Sequence, residues 1–320
     1  MLTRVGLWWK FRRAVFAAGR QPSPAPGQTG RRDVVLVPCW RRPEFLWHCL
    51  DNLTRAEGAA GVHVVFSLDS GASPENLQVI GAFADRLPSH EVRPAQPCPY
   101  RRTKQSANLL LAYLAAAGMT DGHVFLVEED IMVARDFLRW HRAVHASVPE
   151  LFCSIAVRNP NRIARVPDDP GAYYLSSGDY ASHAVCFDAR VLRTLVRPHV
   201  NPRYFARPKR YVRRHFPHSA VGLGFVEQDG LLRRIQEVSG RPIAYACVPR
   251  AFDAGFYGYN RPGGLTGSLP ERIEGLAATI YDVERLSRAG GTVLPGQCVP
   301  VNLEPAAWTG QRRVEVQPAA

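Results

Sequence analysis

Three short apolar runs, each separated by a pattern typical of a helix, most constrain how this chain can fold. The runs are Asp33–Pro38, Val62–Leu68 and Val124–Val127. Between them, apolar residues recur at helical spacing in Phe45–Leu53 and Lys104–Ala117. Parallel strands that are covered by helices hide both faces, so their sequences lose the polar alternation of exposed strands. The pattern therefore predicts an α/β fold with a mixed, mainly parallel sheet and helices on both faces.

The same alternation continues along the chain. A weaker strand is predicted at Glu91–Arg93, later strands at Cys153–Val157 and Ile243–Val248, and later helices at Asp136–Val148 and Glu227–Val238. Residues 159–188 follow neither period and are predicted to be rich in loops. No internal repeat interrupts this order, so we expect one large domain.

The Pro-, Gly- and Ser-rich segment Gln21–Arg32 predicts where that domain begins. We expect a basic leader and linker over residues 1–32, the globular domain over residues 33–290, and an irregular tail over residues 291–320.

The basic leader has an apolar face of its own. Trp8, Phe11 and Val15 share one side of a helix, with arginine and lysine residues nearby. A helix of this kind could lie on an anionic membrane surface. A partly disordered leader is the alternative.

The charge of the chain narrows the classes of partner that it could bind. The formal net charge of +12 favours nucleic acid, anionic lipid or phosphorylated ligands. The sequence has no RNP motif, zinc finger or helix-turn-helix pattern, so we expect no nucleic-acid partner.

The seven cysteines are scattered without a CxxC pair, which predicts free thiols in a cytoplasmic protein. No apolar run approaches the roughly 18 residues of a membrane span.

Carboxylates follow two of the predicted strands directly. Asp69 ends the second apolar run, and Glu128, Glu129 and Asp130 follow the third. Ligands bind at the carboxyl ends of strands in sheets of this type. Three adjacent carboxylates raise one another's pKa or bind a cation, and oxygen ligands suit Mg²⁺ or Mn²⁺. A solvated acidic turn that caps the next helix is the alternative.

At this point the sequence resembles a known family. The segments VVLVPCWRRPEFLWHCLDNL (34–53), VFSLDSG (65–71) and FLVEEDIMVARDFL (125–138) are similar to those of GT-A (Rossmann-like) glycosyltransferases. The likeness is to N-acetylglucosaminyltransferase I and to bacterial inverting, family 2-like enzymes. It continues more loosely through EQDGLLRR (227–234) and PRAFDAGFYGYNRPGG (249–264). The acidic triplet departs from the family's usual DXD spelling.

The resemblance implies a nucleotide site at the ends of the first strands. Pro38, Cys39 and Arg41 match the loop that cradles the nucleotide in the family. Asp69 matches the acid that contacts the base. Lys104 matches a basic position where the chain enters the helix before the metal-binding strand.

The resemblance also implies a metal ligand and a catalytic base. Asp130 matches the acid that binds the metal, Mn²⁺ or Mg²⁺, while Glu128 and Glu129 would face the ribose and the sugar. Asp229 matches the family's catalytic acid residue and is the first candidate for the base. Glu227 is the second candidate. For both, an acid stabilised by the dipole at a helix N-terminus is the alternative.

The implied function is transfer of a sugar from a nucleotide-sugar donor to an acceptor hydroxyl, with a metal and with inversion. Carbohydrate, lipid-linked and protein acceptors all remain open. A nucleotidyltransferase acting on sugar phosphates is one rival, but such enzymes usually carry a Gly-rich loop with a lysine where this chain has Cys39–Arg42. A catalytically silent protein that binds glycans or membranes is the other.

Other polar clusters receive weaker interpretations. The segment Arg197–His218 carries seven basic residues among aromatic ones and could hold phosphate groups or form a solvated loop. Arg250 and Arg261 could form a late phosphate-facing loop. His141 and His145 have a spacing that can bind zinc, but a partly exposed helix face explains them equally well. No nucleophile-elbow pattern accompanies Ser176, Ser177 or His183, so a hydrolase is not expected.

Overall fold

The structure is a computed structural model that describes residues 4–20, 32–87, 89–96, 98–157, 172–178, 180–255 and 266–280. Its strands are β1 Val34–Cys39, β2 His63–Leu68, β3 His90–Arg93, β4 His123–Leu126, β5 Ile131–Val133, β6 Cys153–Ile155, β7 Tyr173–Ser176, β8 Val185–Asp188, β9 Ile243–Ala246 and β10 Ala251–Asp253. Its helices are α1 Arg4–Arg20, α2 Pro43–Arg55, α3 Glu75–Ala82, α4 Lys104–Ala117, α5 Phe137–Ser147, α6 Ala189–Val191, α7 Pro202–Ala206, α8 Pro208–His215, α9 Gln228–Ser239 and α10 Leu269–Ile280. The predicted tail, residues 291–320, lies outside the described residues.

Eight strands form one mixed sheet in the order β3-β2-β1-β4-β8-β6-β9-β7. The first four strands of this order run parallel to one another, and β6 runs parallel to β9. Strands β8 and β7 run antiparallel to their neighbours. The predicted α/β fold with a mainly parallel sheet is confirmed.

Helices cover both faces of this sheet because alternate residues of the central strands point to opposite sides. In β1, Val34 and Leu36 pack into one core with α4, whereas Val35 and Val37 pack into a second core with α2 and α5. All four side chains are fully buried. Burial on both sides accounts for the unbroken apolar run that marks this strand in the sequence.

The prediction of loops over residues 159–188 is wrong for part of that segment. Strands β7 and β8 lie there, and β8 pairs with β4 in the middle of the sheet. Each is only four residues long. A strand of this length shows too little periodicity to be distinguished from a loop by sequence alone.

Helix α1 packs against the rest of the protein through the apolar face that could have met a membrane surface. Phe11 and Val15 are buried in the core beside α4. The indole N–H of Trp8 donates a hydrogen bond to the Tyr100 hydroxyl at 3.1 Å. This face is therefore occupied by the protein itself.

The cysteines lie inside the protein. The six that the structure describes are buried and form no disulfide with one another, and Cys298 lies outside the described residues. Burial raises the pKa of Cys49, Cys153 and Cys186 above the usual thiol range. Within the described part of the chain, no helix is long and apolar enough to cross a membrane.

Candidate active site

The site begins where β1 and β2 end side by side. Cys39 pairs with Leu68 across the two strands. The N–H of Asp69 donates to the Cys39 carbonyl at 2.8 Å, which ties the two following loops together. The Asn76 amide of α3 donates to the Trp40 carbonyl at 2.9 Å. The predicted nucleotide loop and Asp69 thus share one edge of the sheet.

The side chains of this first loop point in different directions. Cys39 is buried in the core, so it can offer a ligand only its backbone. Pro38 is partly buried beside it. Arg41 is exposed and donates to the Gly71 carbonyl at 2.9 Å. No role is predicted for Trp40 from the sequence. Its side chain is 38% exposed next to these residues and offers a flat ring for stacking.

Glu129 lies inside the protein and braces the same loop. One carboxylate oxygen accepts the Trp40 N–H at 2.7 Å, and the other accepts Nε of Arg42 at 2.9 Å. Its side chain is only 2% exposed. Both oxygens of Glu129 thus hold the loop that follows β1. The role that the resemblance implies for Glu129, facing the ribose or the sugar, stays a prediction.

Asp130 is also paired with Arg42. Nη1 of Arg42 lies 2.5 Å from Oδ2 of Asp130. Burial raises the pKa of Asp130 above its ordinary value, and the positive charge of Arg42 opposes that rise. The resemblance implies a role for Arg41, the residue before Arg42. Only the loop geometry shows that Arg42 is the arginine that reaches the acids.

Asp253 joins this group through a pair of very short strands. Strand β10 pairs antiparallel with β5, with Asp253 opposite Ile131. The carboxylates of Asp130 and Asp253 both converge on Gly255. A β-carbon at Gly255 would lie 2.2 Å from Oδ2 of Asp130 and 2.8 Å from Oδ1 of Asp253. Glycine is therefore the residue that leaves room for both carboxylates.

Glu128 faces the same space from the other side of the triplet. Burial raises the pKa of Glu128 well above its ordinary value, and the negative charges of Asp130, Asp229 and Asp253 raise it further. Nδ1 of His183 lies 3.9 Å from Oε2 of Glu128 and 3.8 Å from Oδ2 of Asp253. Glu128 and Asp253 thus face one imidazole, whose charge also acts on Asp229.

The candidate base, Asp229, lies in the first turn of α9. Burial raises its pKa, while a hydrogen bond from Ser182 and the charge of His183 lower it. Its Oδ1 is buried without a hydrogen-bond partner among the residues that the structure describes. An acid with a raised pKa is a better proton acceptor than an ordinary carboxylate.

Glu227 differs from Asp229 in its surroundings. It is exposed at the N-terminal end of α9, and its carboxylate accepts the N–H of Val226 at 3.1 Å. Between the two acids, Gln228 is buried and bonded to Ser106 of α4 at 2.8 Å. This bond fixes the start of α9 against the start of α4, so Asp229 has the more defined position.

A residue with left-handed backbone follows Ser182 and His183 in the chain. Ala184 has a φ of 52°, and it is the one non-glycine residue with positive φ in the described part of the chain. It is also fully buried just before β8. Backbone strain of this kind persists where the surrounding structure requires it, often at functional sites.

The donor groups fit one divalent cation of the predicted kind. No group of three or more His, Cys, Asp or Glu side chains among the described residues is arranged to hold a metal on its own. Mg²⁺ and Mn²⁺, however, need only one or two carboxylates, with substrate phosphates and water completing the shell. Asp130 and Asp253, converging on Gly255, offer that pair.

Three other residues were predicted to contact the nucleotide or a phosphate: Lys104, Arg250 and Arg261. Lys104 is the first residue of α4, and the Ser106–Gln228 bond holds that end of the helix against the start of α9. Arg250 is buried in an ion pair with Asp136, with Nε 2.9 Å from Oδ2, so the phosphate-facing role is wrong. Arg261 lies outside the described residues.

Two further expectations are corrected, one about side-chain burial and one about secondary structure. His141 and His145 are buried rather than partly exposed, because α5 packs this face against the sheet. Nδ1 of His141 bonds the Ser154 hydroxyl at 2.6 Å, and Nε2 of His145 bonds the Cys186 carbonyl at 3.2 Å. The basic segment Arg197–His218 forms helices α7 and α8 rather than a loop.

Comparison with known proteins gives likenesses of fold only. No protein-family model matches the chain, and no curated protein matches it in sequence. Among solved structures, it is similar to the mannosyltransferase PcManGT from Pyrobaculum calidifontis in complex with GDP-Man and Mn²⁺. That match has 15% identity and a TM-score of 0.41 and covers 91% of this chain and 85% of the other.

Two further solved structures match this chain with similar identities and TM-scores. S. aureus TarS 1-349 in complex with UDP-GlcNAc has 13% identity and a TM-score of 0.44, covering 80% of this chain and 69% of the other. The galactosyltransferase LgtC in complex with donor and acceptor sugar analogs has 9% identity and a TM-score of 0.39, covering 66% and 73%. The solved structures that resemble this chain thus include glycosyltransferases, the class that its sequence resembles.

Proposed function

We propose that this protein transfers a sugar from a nucleotide-sugar donor to an acceptor hydroxyl. The observation that carries the proposal is the grouping of Asp130, Asp229 and Asp253 with Glu128, whose pKa their charges raise, while His183 faces Glu128 and Asp253. Like charges at such short range are costly without a cation or a proton to share. A site for a metal-bound diphosphate beside a proton acceptor accounts for this arrangement.

Asp229 acts as the base in this proposal. It takes the proton of the acceptor hydroxyl as the acceptor oxygen bonds to the anomeric carbon of the donor. The bond between that carbon and the diphosphate breaks in the same step, and the nucleoside diphosphate leaves with the electron pair. One carboxylate that activates the attacking hydroxyl is the arrangement expected for inversion. Glu227, which is exposed and less firmly held, is the second candidate.

Asp130 and Asp253 would hold Mn²⁺ or Mg²⁺. When bound, the ion neutralises the charge that develops on the leaving diphosphate. Arg42, already paired with Asp130 and Glu129, keeps Asp130 in place. Glu128 is left to meet the sugar, because it is the member of the triplet that faces His183.

The nucleotide would bind along the edge formed by the β1 and β2 loops. Backbone groups of Pro38 and Cys39 and the exposed side chains of Trp40 and Arg41 line this edge, with Asp69 at its far end. Trp40 offers a stacking surface for a base, and a carboxylate such as Asp69 accepts hydrogen bonds from it. Lys104 would approach the phosphates from the start of α4.

The test is a donor panel. Release of nucleoside diphosphate is measured from several nucleotide sugars, with hexose and N-acetylhexosamine groups, in the presence of Mn²⁺, Mg²⁺ or chelator. Simple sugars, lipid-linked sugars and peptides are supplied as acceptors. Donor binding is followed by calorimetry in the same samples, because turnover without the right acceptor can be slow.

Variants identify the parts of the site. Asp130→Asn should lose metal-dependent donor binding, whereas Asp229→Asn should bind donor and lose turnover by roughly a hundredfold or more. Asp85→Asn, which changes an exposed acid outside the site, is the matched control. The anomeric configuration of the product, read by NMR, decides between inversion and retention.

The rivals predict different results in the same assay. A nucleotidyltransferase would form nucleotide sugar from a sugar phosphate and a nucleoside triphosphate, with release of pyrophosphate. A catalytically silent binding protein would show no turnover with any donor and acceptor. If no nucleotide sugar bound in the presence of metal, the transferase proposal would be wrong.

A further inference from the structure

The outward face of α1 combines aromatic and basic side chains. Trp9 and Phe16 are 54% and 48% exposed, and Lys10 and Arg13 are exposed beside them. We propose that this face, together with the basic helices next to it, docks the protein on an anionic lipid bilayer. The face is distinct from the apolar side of α1, which packs on the core through Phe11 and Val15.

The charge of α1 is of one sign. Its 17 residues, RVGLWWKFRRAVFAAGR, include five arginine or lysine residues and no acid. The Arg12 guanidinium lies 4.6 Å from the ring centre of Trp8, 5.9 Å from that of Trp9 and 5.5 Å from that of Phe16. Tryptophan and arginine together suit the boundary between headgroups and acyl chains, where a ring can be buried while a charge stays solvated.

Two other basic segments meet α1 at its buried side. The Phe11 ring lies 5.3 Å from that of Phe205 in α7 and 5.9 Å from that of Tyr100. The Thr103 hydroxyl donates to the Phe205 carbonyl at 2.8 Å. Helices α7 and α8 and the turn at residues 101–103 are therefore contiguous with α1 on the protein surface.

These neighbouring segments extend the positive charge. The stretch from Arg197 to Val226 contains no aspartate or glutamate. The exposed basic residues of the two segments are Arg101, Arg102, Arg203, Arg207, Lys209, Arg210, Arg213 and Arg214. Each basic residue near a membrane surface adds to its attraction for anionic lipid, and a cluster acts over the whole contact.

Exposed apolar residues occur on the same part of the chain. Phe225 is 70% exposed and Leu223 is 41% exposed in the loop between α8 and α9. The Tyr204 hydroxyl of α7 donates to the Val226 carbonyl at 2.8 Å and holds the end of this loop. A free phosphate would be bound by the cations alone, whereas exposed aromatic and aliphatic side chains add affinity for a bilayer.

The loop ends just before Asp229, the candidate base. Docking through this surface would therefore bring the acceptor side of the site close to the bilayer, which favours an acceptor anchored in lipid. That consequence rests on the proposed function, whereas binding to the bilayer does not.

Vesicle co-sedimentation tests the proposal without donor or acceptor, so its result is independent of the transferase assay. The native protein should sediment with vesicles of phosphatidylcholine and phosphatidylglycerol but not with phosphatidylcholine alone, and salt should weaken the binding. Trp9→Ser/Phe16→Ser and Arg210→Glu/Arg214→Glu should each weaken it at least about tenfold. Tryptophan fluorescence should shift to shorter wavelength on binding, and this shift should shrink in the Trp9 variant.

Matched controls change the same residue types elsewhere. Leu77→Ser/Val238→Ser removes two exposed apolar side chains, and Arg135→Glu/Arg139→Glu reverses two exposed charges. Both controls should bind vesicles as the native protein does, and circular dichroism checks that all variants fold. The proposal is overturned if the native protein ignores anionic vesicles, if the controls weaken binding equally, or if the protein binds RNA or heparin but not vesicles.

Discussion

In the structure, Nη1 of Arg42 lies 2.5 Å from Oδ2 of Asp130, and Nε of the same guanidinium lies 2.9 Å from Oε1 of Glu129. One cation at the start of α2 thus pairs with two acids that follow β4. Glu129 is almost completely buried, so its charge depends on this partner. Removing one member of a buried pair leaves the other without compensation, which costs more than the pair contributes.

Replacing Arg42 should therefore destabilise the fold as well as the site. We expect Arg42→Ala to lower the free energy of unfolding by about 2–3 kcal/mol, because Glu129 keeps its burial and loses its counter-charge. Arg42→Lys should recover only part of the lost free energy of unfolding, because an ammonium group cannot make both contacts of the guanidinium fork. Denaturant unfolding measures the effect. Arg41→Ala, which loses a hydrogen bond to the Gly71 carbonyl at the surface, is the control and should change stability little.

Ser182 should tune the pH dependence of turnover. Its hydrogen bond lowers the pKa of Asp229, which burial otherwise raises above the ordinary value. A base is active when it is deprotonated, so activity should fall as the pH decreases through this pKa. Ser182→Ala removes the lowering contribution and should move the acidic limb of the pH–rate profile up by about half to one pH unit.

The control for that profile is Ser147→Ala, a similar change on α5 away from the site. Its acidic limb should coincide with that of the native protein. A limb that stayed in place or moved to lower pH in Ser182→Ala would show that Asp229 is not the group that titrates.

The central strands and the acidic triplet could be predicted because their signals are local. β1 and β4 are buried on both faces, which leaves a continuous apolar run, and Glu128–Asp130 follow β4 directly. The resemblance added Asp229 from a separate motif. Each of these depends on a few consecutive residues, which is the range over which sequence patterns are informative.

The rest of the site depends on contacts between distant segments. Asp253 reaches Asp130 through the pairing of two three-residue strands, β5 and β10, which are too short to show a period. In the sequence, the segment around Asp253 shows only a loose likeness to the family. Ser182 and His183 lie just before Ala184, whose positive φ is an uncommon conformation that cannot be predicted from an alanine in the sequence.

The buried histidines of α5 should make the fold sensitive to acid. Burial lowers the pKa of His145 from 6.5 to about 4, and it lowers that of His141 well below the usual range. As the pH falls below 6.5, the unfolded chain takes up these protons first, so stability present above pH 6.5 is lost progressively towards pH 4. The His145 contribution amounts to about 3 kcal/mol.

Unfolding free energies measured across this pH range check the prediction. His145→Asn should reduce the slope with pH by about one proton, even though its stability at neutral pH is lower. His218→Asn, a change at an exposed position, should leave the slope as it is. An equal slope in the native protein and His145→Asn would contradict the assignment.

Gly255 should be the most sensitive position of the site that carries no functional group. An added β-carbon would lie 2.2 Å from Oδ2 of Asp130 and 2.8 Å from Oδ1 of Asp253, so at least one carboxylate must move. Gly255 is not among the positive-φ glycines, so alanine should cause little backbone strain. We therefore expect Gly255→Ala to weaken Mn²⁺ and donor binding by roughly tenfold or more while the free energy of unfolding changes by less than about 1 kcal/mol.

Gly81→Ala on α3, where nothing lies within 4 Å of the added carbon, is the control and should be neutral or slightly stabilising. Metal binding by Gly255→Ala equal to that of the native protein would mean that Asp130 and Asp253 do not act together on one cation.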